Sequence, residues 1–212
     1  MFLPGLNESN TCHIDLSLEN RELDQVDLSH TRGLDQFVFG KIKEKGATYG
    51  FGGYMEDRAV YRRSPHFAPP TGPARSVHLG VDIWVSAKTP VFLPLEGRVH
   101  SFRVNEAHAD YGPTIIMEHQ VQGLPFFTLY GHLSPDSLHG LFEGKMVKKG
   151  AAFCRVGNFP SNGDWPPHLH FQLITDMQGK RGDYPGVCIP EETEIYRRLC
   201  PDPSVFFSEL GH

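Results

Sequence analysis

The sequence predicts a mainly β protein made of antiparallel sheets, with few short helices. From about residue 77 onward, short runs rich in Val, Ile, Phe and Thr recur between glycine and proline breaks, which is typical of strands joined by turns. The 22 Gly and 17 Pro in 212 residues show no collagen period. Helix start and stop residues are scarce before residue 190. Together these observations favour an antiparallel β-sheet system.

The elements are predicted in chain order. Residues 1–45 are polar and acidic, with short apolar alternation, and predict an N-terminal arm or extension with one strand. A glycine-rich stretch at residues 46–54 and a loop at residues 65–73 follow. Strands are then predicted at residues 81–85, 90–95, 98–104, 114–118, 126–130, 151–156 and 168–174.

A helix is predicted near the C-terminus. Residues 190–199 begin with carboxylates and end with arginines, which matches the dipole of a helix. Residues 134–138 predict one short helical turn. The predicted organisation is an arm at residues 1–45, a β-rich domain at residues 46–190, and a helix and tail at residues 191–212 that pack on the domain.

Composition excludes some classes of function. The 20 Lys plus Arg against 25 Asp plus Glu give a net charge of −5, whereas a nucleic-acid backbone requires a basic face, so no nucleic-acid partner is expected. No stretch approaches the roughly 18–20 apolar residues of a membrane span. The first residues lack the basic and apolar segments of a secretory signal, so a cytoplasmic location is expected, with export or a larger parent chain left open. The four cysteines form no Cys-x-x-Cys pair and are expected as free or buried thiols.

Three stretches contain the histidines that are candidates for binding a metal ion or a substrate. Residues two apart on a strand share a face, so His168 and His170 are expected side by side, roughly 6–7 Å apart along the backbone. Both can then address one metal ion or one substrate atom. The three stretches are His78-Leu-Gly-Val-Asp82, Leu129-Tyr-Gly-His132-Leu133 and Pro167-His168-Leu-His170-Phe171.

His78 and Asp82 can share a metal ion only if the chain bends between them. An extended chain would separate them by about 13 Å, whereas zinc needs nitrogen and oxygen ligands at about 2.0–2.2 Å. Gly80 permits a bend, and the β-branched Val81 and Ile83 oppose a helix. The spacing is compatible with a metal site on a bent strand end.

One carboxylate and two imidazoles make a three-ligand set, which in zinc chemistry leaves a fourth position for water or substrate. Such a metal lowers the pKa of its bound water toward about 7 and polarises a carbonyl, so peptide or amide hydrolysis becomes feasible at neutral pH. Each motif alone is common by chance, and a surface strand with two histidines is often only structural. The order of all three motifs on strand-like segments is what favours a site.

The three motifs resemble the LytM/lysostaphin-type zinc metallopeptidases, also called glycyl-glycine endopeptidases, many of which cut peptidoglycan cross-bridges. The resemblance covers about residues 49–174. It implies that His78, Asp82 and His170 bind one zinc ion per chain, and that His132 and His168 are catalytic histidines outside the ligand set. It also implies a duplicated hybrid β motif and a peptide or peptidoglycan-like substrate. Further matching positions are Gly80-Val-Asp-Ile83, Thr89-Pro-Val91, Gly97-x-Val99, Tyr111-Gly112, Gly150 and Gly157.

Within that family, the resemblance is strongest to a subgroup in which the peptidase-like domain is fused to phosphotransferase-like and class III aminotransferase-like domains. Two other functions stay open: a metal-free binding or activator domain, and an intracellular amidase acting outside the cell wall. Retention of all five polar site residues favours the enzyme. A phosphocarrier is disfavoured because it does not require the His-x-x-x-Asp pair. The segments resembling the subgroup are Gly53-Tyr-Met-Glu-Asp-Arg58, Trp165-Pro-Pro-His168 and Arg181-Gly-Asp-Tyr-Pro-Gly186.

Three further side chains outside the five site residues are Arg58, His119 and Trp165. Arg58 is expected at the surface, where an arginine can pair with a substrate carboxylate, and His119 is expected in a structural hydrogen bond. Trp165 is expected either to line a cleft or to pack over a loop. The sequence leaves open the oligomeric state and whether residues 1–45 cover the cleft.

Overall fold

A computed structural model describes residues 2–210; Met1 and the end of the predicted tail, Gly211 and His212, lie outside the described part. The α-helices among these residues are α1 (Thr31–Glu44) and α2 (Thr193–Leu199). The strands are β1 (Thr11–His13), β2 (Tyr49–Gly52), β3 (Val77–His78), β4 (Val81–Trp84), β5 (Pro90–Phe92), β6 (Gly97–Asn105), β7 (Gly112–Val121), β8 (Leu124–Gly131), β9 (Met146–Val147), β10 (Ala152–Arg155), β11 (His168–Ile174) and β12 (Val187–Cys188). Short 3-10 helices are Glu8–Asn10, Arg21–Gln25, Ala59–Arg63, Pro135–Leu138, Pro190–Glu192 and Pro203–Leu210.

The strands form one large sheet and two small ones over the described residues. The large sheet has eight strands in the order β1-β2-β4-β11-β8-β7-β6-β9. Neighbouring strands in it are antiparallel, except that β1 runs parallel to β2. The small sheets pair β5 with β10 and β3 with β12, both antiparallel. The mainly β, antiparallel class that the sequence predicts is confirmed.

The predicted elements reappear with shifted ends. Each of the seven predicted strands overlaps an observed strand, and β11 has the predicted bounds. The predicted C-terminal helix forms as a 3-10 turn followed by α2, and the turn near residue 135 is a 3-10 helix. Strands β3, β9 and β12 have two residues each and are too short for a periodic pattern to reveal them.

Helix α1 lies in the predicted arm, where the sequence pattern predicts only a strand. Its first residue follows His30, which makes no side-chain capping hydrogen bond, so the usual helix start is absent. Buried Leu34, Val38 and Ile42 follow one another at intervals of four, the spacing of one helix face. They pack with Trp84 of β4 in a hydrophobic cluster, the second core, which is separate from the main core beneath the central strands. This packing stabilises the helix.

One face of the central strands is apolar, and the opposite face is polar. In β11, Leu169, Phe171 and Leu173 join the main core, and in β4 Val81 and Ile83 do the same. Because side chains alternate along a strand, the residues between them point to the other side. This alternation places a group of buried polar side chains on one face of β4 and β11.

Residues of the predicted arm also enter the cores. Phe2, Leu3 and Leu6 lie in the main core, and the amide of Leu16 donates to Glu56 Oε1 at 3.1 Å. The division of the chain at residues 45 and 190 stays a prediction. No helix of the described residues is both long and apolar enough to cross a membrane.

Candidate metal centre

Strand register brings the predicted ligands together. In the pairing of β4 with β11, Asp82 lies opposite His170. His170 also lies opposite Gly131 at the end of β8, so His132 follows directly at the same place. The backbone of His132 has a φ of 58°, in the left-handed region, where its amide donates to the Tyr111 carbonyl at 2.8 Å.

The bend expected at Gly80 is present between β3 and β4. A Cβ atom at this position would lie 2.7 Å from the carbonyl oxygen of Phe171 and 2.8 Å from His170 Nε2. Only glycine therefore lets the bent chain approach β11 this closely. The bend places His78 Nε2 3.4 Å from Asp82 Oδ1.

Three donor atoms converge at this point. His78 Nε2 lies 2.8 Å from His170 Nδ1, and His170 Nδ1 lies 3.3 Å from Asp82 Oδ1. One ligand atom from each of the three residues falls within 4.8 Å of the other two, and all three residues are buried. The structure thus assembles the predicted ligand set; its role as a zinc site stays a prediction.

The hydrogen bonds behind the two imidazoles fix their tautomers. His78 Nδ1 faces the Gly53 carbonyl at 2.9 Å, which can only accept, so this nitrogen carries the proton. Gln172 Nε2 donates to the Pro185 carbonyl at 3.0 Å, which leaves Gln172 Oε1 to accept from His170 Nε2 at 2.9 Å. His78 Nε2 and His170 Nδ1 therefore both present lone pairs.

This arrangement fits a bound cation. Two nitrogen lone pairs and a carboxylate oxygen face one another, and none of the three has a proton to donate. Asp82 Oδ1 is buried and accepts no hydrogen bond from the described residues, a costly arrangement unless a positive charge is shared between the three atoms. Two imidazoles and a carboxylate are the donor set that zinc uses in catalytic sites.

The protonation of the ligands supports the same conclusion. Burial lowers the pKa of His78 to about 3, and the nearby Arg58 contributes in the same direction. Burial opposes ionisation of Asp82, but His78 and Arg58 outweigh it and hold the pKa of Asp82 well below its usual range. At neutral pH His78 is therefore a neutral imidazole and Asp82 an ionised carboxylate, the forms that bind metal.

His132 and His168 adjoin the ligands without joining the triad. Their ring centroids are 4.2 Å apart. His132 Nδ1 donates to the Asn162 carbonyl at 2.8 Å and His168 Nδ1 to the Pro166 carbonyl at 2.7 Å, so each Nε2 keeps a lone pair. Burial lowers the pKa of both histidines, for His132 with added repulsion from the neighbouring His168.

The five predicted residues line a cavity of about 380 Å³. Its walls include Trp165, whose ring lies 6.0 Å from that of His132 and whose Nε1 donates to the Ala109 carbonyl. Trp165 therefore both lines the cleft and packs over a loop. Leu16 and Leu34 of the predicted arm form part of the same wall.

Arg58 is buried, so the surface position expected from the sequence is wrong. Its side chain is 3% exposed, and Nη1 donates to Asp82 Oδ2 at 2.6 Å.

His119 makes the structural hydrogen bonds that were expected, to the Glu96 carbonyl and to Thr128. All four cysteines are free, as predicted.

Sequence reasoning missed Gln172, although a clue was present. It lies two residues after His170 on the same strand, so the period of two that pairs His168 with His170 also places Gln172 on that face. Glu56 and Tyr111 stand in segments that carry the family resemblance, but their contacts with the site were not predicted. The Tyr111 hydroxyl donates to Gln172 Oε1 at 3.3 Å, and Glu56 pairs with Arg58.

Comparison with known proteins agrees with this geometry. Residues 76–183 match the family model described as peptidase family M23. The chain belongs to peptidase family M23. The matched residues include the predicted ligands and both other histidines, while Arg58 and Glu56 precede them.

This M23 chain is similar to an uncharacterized metalloprotease of Haemophilus influenzae, with 34% identity over 129 residues. The match covers 58% of this chain and 25% of that protein, so the chain spans about a quarter of that relative's length. Among solved structures it resembles the catalytic domain of the antimicrobial peptidase lysostaphin from Staphylococcus simulans, at 22% identity and a TM-score of 0.41, covering 60% of this chain and 85% of that one. The catalytic domain of the M23 protein EnpA from Enterococcus faecalis, as an A109H mutant, gives 21% identity and a TM-score of 0.39 over 59% of this chain and 96% of that one.

Proposed function

We propose that this M23 chain is a zinc-dependent metallopeptidase that hydrolyses a peptide or amide bond. The observation that carries the proposal is the meeting of two unprotonated imidazole nitrogens with the unpartnered Asp82 Oδ1 inside a cavity. His78, Asp82 and His170 would hold one zinc ion. When bound, zinc would polarise the scissile carbonyl and acidify the attacking water.

His132 and His168 supply acid–base chemistry in this proposal. Each is neutral at neutral pH and keeps a lone pair on Nε2, so each is able to accept a proton from water. The same nitrogen can return that proton to the leaving amine. His168 Nε2 lies 3.7 Å from Asp82 Oδ1, which places it beside the ligand set. The division of roles between the two histidines stays a prediction.

We further propose a peptide substrate, including peptidoglycan-like peptides, since the chain belongs to a peptidase family. The likeness to the subgroup with a class III aminotransferase-like domain and the cytoplasmic location expected from the sequence are also proposals. Fractionation of cells that express the chain at its natural level, followed by immunoblotting, tests the location. Detection in the envelope fraction would contradict it.

The function is tested by metal content and hydrolysis together. Protein purified without chelator is expected to contain one zinc ion per chain by elemental analysis and to cleave members of a panel of peptides and peptidoglycan fragments, read by mass spectrometry. His170→Ala should lose metal and activity. His132→Ala should keep the metal and lose about 10²–10⁴-fold in rate.

His139→Ala is the matched control, because the His139 side chain is 79% exposed and lies outside the cavity lining. It should retain both metal and rate. Wild-type protein without a transition metal, or undiminished hydrolysis by His170→Ala, would contradict the proposal.

A further inference from the structure

The segment from Gly53 to Arg58 contacts both ligands that the β3–β4 bend provides. The Gly53 carbonyl accepts from His78 Nδ1, and the amide of Met55 donates to the His78 carbonyl at 2.8 Å. The amide of His78 in turn donates to the Glu56 carbonyl at 2.9 Å. This segment precedes residues 76–183, which match the family model.

Arg58 occupies one of the two oxygens of Asp82. Its Nη1 donates to Asp82 Oδ2 at 2.6 Å and, more weakly, to the Tyr61 hydroxyl at 3.3 Å. Asp82 Oδ1 is left facing His78 Nε2 and His170 Nδ1. The hydrogen bond therefore sets which carboxylate oxygen is presented to the ligand cluster.

Glu56 holds Arg58 in turn. Arg58 Nε donates to Glu56 Oε2 at 2.5 Å, and Glu56 Oε1 accepts from the backbone amide of Leu16 at 3.1 Å. The side chains of Arg58 and Glu56 are 3% and 10% exposed. A rigid guanidinium fork between two carboxylates restricts the rotation of both.

The charges of the three groups also matter. Arg58 carries one positive charge, and Glu56 and Asp82 carry one negative charge each. Because Glu56 is the counter-ion of Arg58, the three side chains together keep a net charge of −1. Arg58 can therefore orient Asp82 without removing the negative charge that attracts a cation. A lone arginine at the same place would cancel the charge of Asp82.

Gly53 is required for this packing. Its φ is 101°, and a Cβ atom there would overlap Arg58 Nη2 and lie 3.1 Å from His78 Nδ1. The segment Gly53-Tyr-Met-Glu-Asp-Arg58 thus combines a glycine, a carboxylate and a guanidinium that all act on the ligands.

We propose that Arg58 and Glu56 form a positioning pair for the metal centre: Arg58 reserves Oδ2 of Asp82 so that Oδ1 alone is offered to a divalent cation, and Glu56 anchors Arg58 and balances its charge. The inference rests on the proposed function, since it assumes that the His78, Asp82 and His170 cluster binds metal. Groups that orient metal ligands typically change metal affinity by about 10–100-fold when they are removed.

The double variant Arg58→Gln/Glu56→Gln separates orientation from charge. It removes one positive and one negative charge, so the net charge of the cluster does not change. Dissociation constants for Zn²⁺ are measured by chelator competition on the full chain, and the visible spectrum of the Co²⁺-loaded protein is recorded. We expect Zn²⁺ binding to weaken by about 10–100-fold and the Co²⁺ spectrum to change.

Two single variants sharpen the test. Arg58→Gln makes the cluster more negative, so charge alone would tighten Zn²⁺ binding, whereas loss of positioning weakens it. Arg58→Lys keeps the charge but lacks the fork, and its affinity should fall between those of wild type and Arg58→Gln. Arg58→Lys also keeps a positive charge between the two buried carboxylates, which makes it the variant to rely on if the others do not fold, as judged by circular dichroism.

The matched control is Arg98→Gln/Glu118→Gln. Arg98 donates to both oxygens of Glu118, on β6 and β7, and neither residue lines the cavity. This variant should bind Zn²⁺ as wild type does. Equal or tighter Zn²⁺ binding by Arg58→Gln, or wild-type affinity in the Arg58→Lys variant, would overturn the positioning role. Failure of the wild-type chain to bind Zn²⁺ or Co²⁺ would instead overturn the metal centre itself, and the positioning pair with it.

Discussion

At the residue scale, the candidate centre depends on which ring nitrogen of each histidine carries the proton. Backbone carbonyls of Gly53, Asn162 and Pro166 fix this for three of the four histidines, and Gln172 fixes it for the fourth. The histidines and their order are visible in the sequence. Their tautomers are not, because three of the acceptors are backbone atoms, and a backbone carbonyl is present at every residue.

A buried histidine outside the centre leads to a prediction about pH and stability. Burial lowers the pKa of His119, against the opposing hydrogen bond to the Glu96 carbonyl. The unfolded chain therefore binds a proton more readily than the folded chain. The stability that depends on neutral His119 is complete above the ordinary histidine pKa of about 6.5 and is lost as pH falls through the lowered folded-state pKa.

His119→Gln removes this titration. We expect its free energy of unfolding, from urea denaturation of the metal-free protein, to fall less steeply than that of wild type as pH is lowered from about 7.5 to about 5.5. His139→Gln, at an exposed histidine, should keep the wild-type slope. Identical slopes for His119→Gln and wild type would contradict the prediction.

At the element scale, strands with clear alternation were predictable and helix α1 was not. β11 carries a full period of two and was predicted with its observed ends. α1 lacks a capping side chain and contains Gly33 and Gly40, so its local propensity is low. Burial of Leu34 and Val38 against other elements decides its conformation, which is a tertiary effect.

The two glycines of α1 give opposite predictions. A Cβ atom at the exposed Gly40 would meet no atom within 4 Å, whereas one at Gly33 would overlap the carbonyl of Asp27. Gly40→Ala should stabilise the protein by about 0.5–1 kcal/mol, since glycine is a poor residue in a helix interior. Gly33→Ala should destabilise it. Urea denaturation of both variants checks this, and a lower stability of Gly40→Ala would contradict the assignment of a helix interior at that residue.

At the scale of the whole molecule, residues before 46 belong physically to the wall of the cavity and to the main and second cores. Leu3 and Leu34 are 0% and 1% exposed, and the Thr31 hydroxyl donates to the Asp164 carbonyl at 2.7 Å, in the loop that leads to the paired histidines. These contacts bear on whether the first 45 residues cover the cleft or build it.

We expect removal of residues 1–45 to prevent folding instead of releasing activity. Leu34→Ala should cost about 2–5 kcal/mol, as buried leucines do, while Leu124→Ala, at a leucine that is 72% exposed, should change stability by less than about 0.5 kcal/mol. Circular dichroism and urea denaturation measure both. A folded truncated chain with raised activity would show that the arm is an inhibitory segment.

The sequence by itself determined the mainly β class, most strands, and the identity and order of the five polar residues at the site. The class and the strands follow from short-range rules such as alternation along strands, and the five residues follow from the order of the three motifs and the family resemblance that the motifs carry. Only the tertiary structure decided the role of Arg58 and Glu56, the tautomers of the histidines and the helical state of residues 31–44. Each of these depends on contacts between segments far apart in the chain, and burial changes the energy of a charge or a helix in ways that local sequence does not record.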